Sequence, residues 1–222
     1  MAIIIATSYH FSVSAGTLTG TIEFEESTPK AAVVYTKSKD FKVLDIEIDQ
    51  ENALFNEFIY VAQPGSKVHF KNTDRFRHNI FLSSLPIDLK YNAGILKRND
   101  KRSKTIDWAA DSFSKVSCYL HTTMESYLAV IESNNYELID FRAANPYHKK
   151  SRGYRSRTAQ PITNLQDRQV FTLGNISPGE KVYVLIPHMP PLTIIAQESS
   201  EKTIPIRKLE TKIGTLTYSY KN

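Results

Sequence analysis

Val116-Ser117-Cys118-Tyr119-Leu120-His121-Thr122-Thr123-Met124 carries a Cys-x2-His-x2-Met run that closes one strand-like segment, Phe113 to Tyr119, and precedes another, Tyr127 to Ile131. Short runs rich in β-branched and aromatic residues read as strands. A strand ending at Cys118 aims its sulfur into one end of a β-sandwich. A tight turn then returns His121 and Met124 to the same point before the next strand departs.

Strand signals extend outward from this run in both directions. Leu44, Ile46 and Ile48 alternate with Asp45, Glu47 and Asp49, the period of a half-buried strand. Phe58-Ile59-Tyr60-Val61, Val68-His69-Phe70, Val182 to Ile186, Ile194-Ile195 and Thr215 to Tyr220 follow in the same style. Gln63-Pro64-Gly65-Ser66 and Ser177-Pro178-Gly179-Glu180 place Pro then Gly at the centre of a turn, the type II signature. No window sustains a 3.6-residue period, and there is no internal repeat. The expected class is all-β, in short strands and turns. Only Asn134 to Asp167 breaks the pattern, with Asn145-Pro146, Gln160-Pro161 and a basic run, and it reads as an exposed loop or a linker.

A chain of 222 residues suffices for one large domain or two small ones. One cysteine permits no internal disulfide, so stability must come from packing and from any bound metal. No apolar run approaches the ~20 residues of a membrane span. Met1 to Ala6 is apolar, yet it lacks a basic segment and falls short of the ~7 to 15 residues of a signal core. Either the protein is cytoplasmic, or a signal peptide was removed and a start Met-Ala supplied for expression; the expected localisation is the periplasm. A thiol committed to a metal is shielded from oxidation and so is compatible with that compartment.

The net charge of +5 is local rather than general. Arg142 to Arg157 holds six Lys or Arg and no acid, and Lys97 to Lys104 holds five against Asp100, so the remainder of the chain is net acidic. Such segments are commonly solvated loops, and functionally they suit docking to an acidic redox partner. Nucleic acid is not expected as a partner, because aromatic interleaving is confined to Tyr147 and Tyr154.

His78, in Arg77-His78-Asn79, completes a set with Cys118, His121 and Met124. It follows the strand Val68 to Asn72 through a short loop, so two loops deliver four side chains to one pole. A thiolate and two imidazoles in a plane, with a thioether at longer range, are the ligands of a type 1 copper ion. At pH 7 ionising a thiol of pKa ~8.5 costs about 2 kcal/mol, which metal binding offsets.

Gly65-Ser66-Lys67-Val68-His69-Phe70-Lys71-Asn72-Thr73-Asp74, followed by Arg77-His78-Asn79-Ile80-Phe81, resembles the Gly-x-x-Val-x-Phe-x-Asn-x-Asp and His-Asn-Val motifs of the cupredoxins, the small blue copper proteins. The short ligand loop is similar to that of amicyanin, although Tyr119, Leu120, Thr122 and Thr123 supply no proline beside the histidine. The resemblance covers about residues 55 to 132. It implies a cupredoxin Greek-key β-sandwich, His78, Cys118, His121 and Met124 as copper ligands, and His121 near the surface as the electron route. It also implies that hydrogen bonds of Asn79 tie the two ligand loops together.

The whole chain resembles bacterial cupredoxin-domain proteins related to methylamine utilisation, in which a carboxypeptidase-regulatory-like β-sandwich accompanies the copper domain. Gly16 to Ile22 with Ala31 to Tyr35, and Phe171 to Gly179, carry that likeness. The implied organisation is residues 1–40 as the first strands of a small sandwich, 41–135 as the copper domain, and 136–222 as the basic loop and remaining strands, with the copper domain inserted in the other module.

Other candidates rank lower. His188-Met189 lies in a proline-stiffened loop with no Cys or second His nearby, and His69 faces away from its apolar neighbours. His10 and His148 carry no pattern. There is no Gly-rich phosphate loop, Gly-x-Ser-x-Gly, Cys-x-x-Cys-His or His-x-His, so no enzyme activity is expected. The expected function is one-electron transfer through a single type 1 copper. The alternatives are copper storage, delivery or sensing at the same site, and a structural or binding sandwich with an incidental metal site.

Overall fold

A computed structural model describes residues 15–25, 27–142 and 165–222. Every extended regular element among them is a strand, as expected. In order these are β1 (Gly16–Phe24), β2 (Ala31–Thr36), β3 (Ile46–Glu51), β4 (Leu54–Phe55), β5 (Ile59–Ala62), β6 (Lys67–Asn72), β7 (His78–Ser84), β8 (Leu89–Leu96) and β9 (Lys101–Thr105). There follow β10 (Ser112–Cys118), β11 (Glu125–Val130), β12 (Tyr136–Asp140), β13 (Arg168–Ile176), β14 (Lys181–Leu185), β15 (Leu192–Ile195), β16 (Ser199–Lys208) and β17 (Thr211–Lys221).

Strands β3 to β11 form two sheets, ordered β4-β3-β6-β9 and β5-β11-β10-β7-β8. The parallel pairs β3/β6 and β5/β11 join strands distant in sequence, so the chain crosses between sheets in Greek-key fashion. Alternation drives the packing. Along β7, His78, Ile80, Leu82 and Ser84 are buried while the residues between them are partly exposed. The inward side chains, Ile48, Tyr60, Val68, Phe70, Ile80, Leu82, Val116 and Leu128 among them, make one apolar cluster that also contains Cys118 and Met124. The Gln63–Ser66 turn sets the entry to β6. Gly65 has φ +87°, and Ser66 N–H donates to the Gln63 carbonyl at 3.0 Å.

The other strands form sheets ordered β13-β1-β17-β16 and β12-β2-β14-β15 around a separate cluster of Leu18, Ile22, Phe24, Val34, Phe171, Val184 and Leu216. Strand β2, Ala31-Ala32-Val33-Val34-Tyr35-Thr36, is buried at every position. Its even-numbered Ala32 and Val34 face this cluster. Ala31, Val33 and Tyr35 face the opposite way, into a third cluster with Phe58, Ile59, Phe113, Tyr127, Ala129 and Ile131 of the other sandwich. A strand covered on both faces accounts for an apolar run without alternation. Polar contacts border that third cluster. Tyr35 O–H donates to Asp111 at 2.6 Å, Lys37 pairs with Asp111, Lys30 pairs with Glu125, and the Arg142 guanidinium lies 3.4 Å from the Phe58 ring centroid.

Among the strands that carry no clear sequence signal are β8, β9, β12 and β16. β9 is polar and almost wholly exposed, β8 alternates weakly, and β16 contains Pro205, tolerated because β16 is the edge of its sheet. β12 lies inside the polar stretch 134–167, where a loop or linker is expected; it pairs antiparallel with β2 along its whole length. Leu44, grouped in sequence with the strand now seen as β3, precedes it and is 60% exposed. The basic run beyond Arg142, with His10 and His148, lies outside the described residues.

Candidate metal centre

His78 opens β7 and Cys118 closes the neighbouring β10. These strands are antiparallel, with Cys118 opposite Ile80, so His78 and Cys118 stand on the same inward face at one end of the sandwich. The chain then makes a turn in which Met124 N–H donates to the His121 carbonyl at 2.9 Å, and β11 begins at Glu125, opposite Ser117. The 119–124 loop therefore closes over the same end. His78 is fully buried, Cys118 and Met124 are nearly so, and His121 is partly exposed.

Three donor atoms converge. Cys118 Sγ lies 3.7 Å from His78 Nδ1 and 3.7 Å from His121 Nδ1, and the two nitrogens are 3.1 Å apart. The circle through these three atoms has a radius of about 2.0 Å, against ~2.0–2.1 Å for metal–imidazole and ~2.3 Å for metal–thiolate bonds. The residues fit a trigonal ion of that size. This is the metal-capable cluster of His, Cys and acidic side chains found among the described residues. Met124, 1% exposed, belongs to the same buried cluster as Cys118. A soft thiolate and two imidazoles favour copper or zinc, and a thioether neighbour favours copper.

Asp74 belongs to the centre although its role was not legible in the motif that contains it. It is 4% exposed, and its Oδ2 lies 3.1 Å from His78 Nε2. An ionised carboxylate only accepts, so Nε2 carries the hydrogen and Nδ1 presents a lone pair toward Cys118 and His121. The same Oδ2 accepts from Ala53 N–H at 2.7 Å, and Asp74 N–H donates to Asn72 Oδ1 and to the Gln50 carbonyl. Burial lowers the His78 pKa below the usual imidazole value, the Asp74 hydrogen bond opposes this, and the nearby His121 lowers it further. His78 is thus kept in the neutral form that ligates.

Asn79 links the two ligand loops through its main chain. Its N–H donates to Cys118 Sγ at 3.4 Å, and its carbonyl accepts from Tyr119 N–H at 3.0 Å. Its side-chain Oδ1 is buried without a hydrogen-bond partner. Asn72, also in the motif, donates through Nδ2 to the carbonyls of Phe76 and Leu96 at 2.8 and 2.9 Å, pinning the β6–β7 loop to the end of β8. Phe76 packs its ring 6.0 Å from that of His121.

His69, His188 and Met189 stand apart from this centre. His69 is bonded to Ser103 at 2.7 Å and lies 3.3 Å from Asp45. His188 is exposed with φ +66°, while Met189 is buried in the cluster of the second sandwich.

No family model matches the chain, and neither does any curated protein. Solved structures similar to it include a purple cupredoxin from Nitrosopumilus maritimus, at 18% identity and TM-score 0.34, covering 39% of this chain and 99% of that one. A reduced Cu(I) form of an amicyanin mutant is 16% identical, with TM-score 0.35 and coverage of 46% of this chain and 98% of that one. Auracyanin from Roseiflexus castenholzii is 19% identical, with TM-score 0.33 and coverage of 40% and 97%.

Proposed function

We propose that this protein is a periplasmic one-electron carrier, not an enzyme, built around a single copper ion held by His78, Cys118, His121 and Met124. The observation that carries this reading is the triangle of Nδ1, Nδ1 and Sγ, whose size suits one trigonal ion, beside a buried thioether. When bound, copper supplies a couple that shuttles between Cu(I) and Cu(II).

The chain's own residues suit that task. Cys118 Sγ receives the Asn79 N–H, a donor aimed at the sulfur that would bind the ion. His78 is held by Asp74 and cannot swing away, and the 119–124 loop is closed by its own hydrogen bond. A ligand set that moves little between oxidation states keeps the reorganisation barrier low. His121 alone among the ligands reaches the surface, so electrons pass through its ring. In line with a water-soluble carrier, no helix among the described residues is long and apolar enough to cross a membrane.

The test is optical and electrochemical. Copper-loaded protein should show an intense visible thiolate-to-Cu(II) band that vanishes in Cys118→Ser, and should cycle reversibly at an electrode without losing metal. A colourless protein at full copper occupancy refutes the reading. A coloured protein that releases Cu(I) readily to a chelator is a copper-handling protein instead.

A further inference from the structure

Resting on the copper reading, the pole that exposes His121 has a charge layout that names its partner. The centre of the pole is apolar: Tyr119 is 62% and Leu120 51% exposed, and Ile95, opposite Asn79 in the β7–β8 pairing, is 51% exposed. Large apolar side chains left open around a ligand loop mark a contact surface. Arg75 and Arg77 flank Phe76 on the β6–β7 loop, and Lys97 and Arg98 follow directly from Leu96, which pairs with His78. Asn72 holds both segments together through the Phe76 and Leu96 carbonyls, so the four exposed cations form one cluster.

None of the four takes part in a salt bridge among the described residues. Arg75 lies 4.7 Å from the Phe76 ring centroid, a contact that leaves its charge unneutralised. Asp100 is the acid on this flank, and its carboxylate accepts from the Lys97 main-chain N–H. Of the exposed acids of the same pole, Glu51 ends β3, opposite Leu54 of β4, and Glu57 lies in the β4–β5 connection. In both sheets that is the edge opposite β8 and β9. The pole is therefore dipolar, with a basic flank, an apolar centre over the metal and an acidic flank.

We propose that this pole docks a redox protein whose own centre is bordered on one side by acidic residues, which meet Arg75, Arg77, Lys97 and Arg98 while Tyr119 and Leu120 form the dry contact. Complementary charge speeds encounter, and the dipole fixes the rotation that brings the partner's centre over His121.

The test titrates 15N-labelled protein as purified with two probes of opposite charge, an acidic plant-type ferredoxin and a basic c-type cytochrome. Ferredoxin should shift amides of residues 75–77, 95–98 and 119–123, with affinity falling ~10-fold or more between about 20 and 300 mM salt. Arg75→Glu/Arg98→Glu should weaken binding by ~10-fold or more, and the exposed Lys208→Glu on the second sandwich should leave it unchanged. The proposal is overturned if ferredoxin shifts fall elsewhere or are absent, if the cytochrome binds this pole as tightly, or if the double reversal changes affinity less than twofold. Docking is read without regard to copper, and the visible spectrum of a separate sample reads the copper site, so the two ideas fail separately.

Discussion

The buried carboxylate of Asp74 accepts the Nε2–H of His78 at 3.1 Å, so an acid four residues upstream of the histidine sets which nitrogen faces Cys118 and His121. The interaction turns a motif residue into a part of the metal centre. It also couples that centre to the β3–β4 turn, because the same oxygen holds Ala53 N–H.

Replacing this carboxylate should weaken metal binding without removing any ligand. Asp74→Ala is expected to lower Cu(II) affinity by roughly 10–100-fold, the usual scale for a lost partner behind a ligating histidine. Asp74→Asn, which still accepts through Oδ1, should lose less. Both should raise the reduction potential, since Cu(II) depends more than Cu(I) on ligand basicity. Chelator competition and voltammetry measure the two effects.

At the junction of the sandwiches, Asp111 receives the Tyr35 hydroxyl and pairs with Lys37. Removing the acceptor leaves a buried hydroxyl unpaired, so Asp111→Ala should cost about 1–3 kcal/mol, and Tyr35→Phe, which removes the donor cleanly, about 0.5–1.5 kcal/mol. Asp111 also sits at φ +58°, which adds backbone strain in the alanine variant. Urea midpoints at neutral pH decide the order, and equal costs would contradict it.

Alkaline pH should destabilise the protein through buried tyrosines. Burial pushes the Tyr127 hydroxyl up to about 12, with Glu125 adding to the effect. Burial also raises Tyr60, and raises Tyr35 together with its hydrogen bond to Asp111. A raised folded pKa means the unfolded chain ionises first, near pH 10. Stability is therefore intact below pH 10 and falls as pH climbs from 10 through 12, by up to about 1.4 kcal/mol per pH unit per tyrosine. Phenolate absorbance at 295 nm should lag in the folded state and appear abruptly on unfolding.

A methyl group at Gly214 would meet the Glu23 carbonyl oxygen and Phe24, where β1 and β17 pair. Gly214→Ala should cost on the order of 1–3 kcal/mol or more by overpacking. The copper spectrum should persist in the folded fraction, because the clash lies in the second sandwich. Thermal unfolding followed both by circular dichroism and by the visible band checks this, and a bleached band below the melting transition would contradict it.

Much of this centre was legible because its chemistry is dense in one short segment. Cys118, His121 and Met124 share seven residues, and a strand, turn and strand bring such a segment back on itself whatever surrounds it. His78 could be added because its own strand pattern and the adjoining Asn79 point to the same pole. Asp74 was visible as a motif residue but its role was not, and Phe76 carried no signal, since what an acid or an aromatic in a loop does depends on neighbours that only the fold supplies. For Asn79 the expected linking role is filled by the backbone, which side-chain identity cannot reveal.

The strands followed the same division. Where one face is apolar, as in β6 and β10, alternation exposes the strand to a reader of the chain alone. Where pairing at an edge is the main reward, as in β9 and β16, polar composition conceals it. An all-β chain and a candidate donor set for a soft metal ion are readable from the chain alone, both being properties of local periodicity and residue type. Only the tertiary structure decided that β2 is buried on both faces between two sandwiches, that a carboxylate stands behind His78, and that four cations gather on one flank of the pole. Those facts depend on which distant segments meet, and burial and electrostatic energies are set by neighbours in space rather than along the chain.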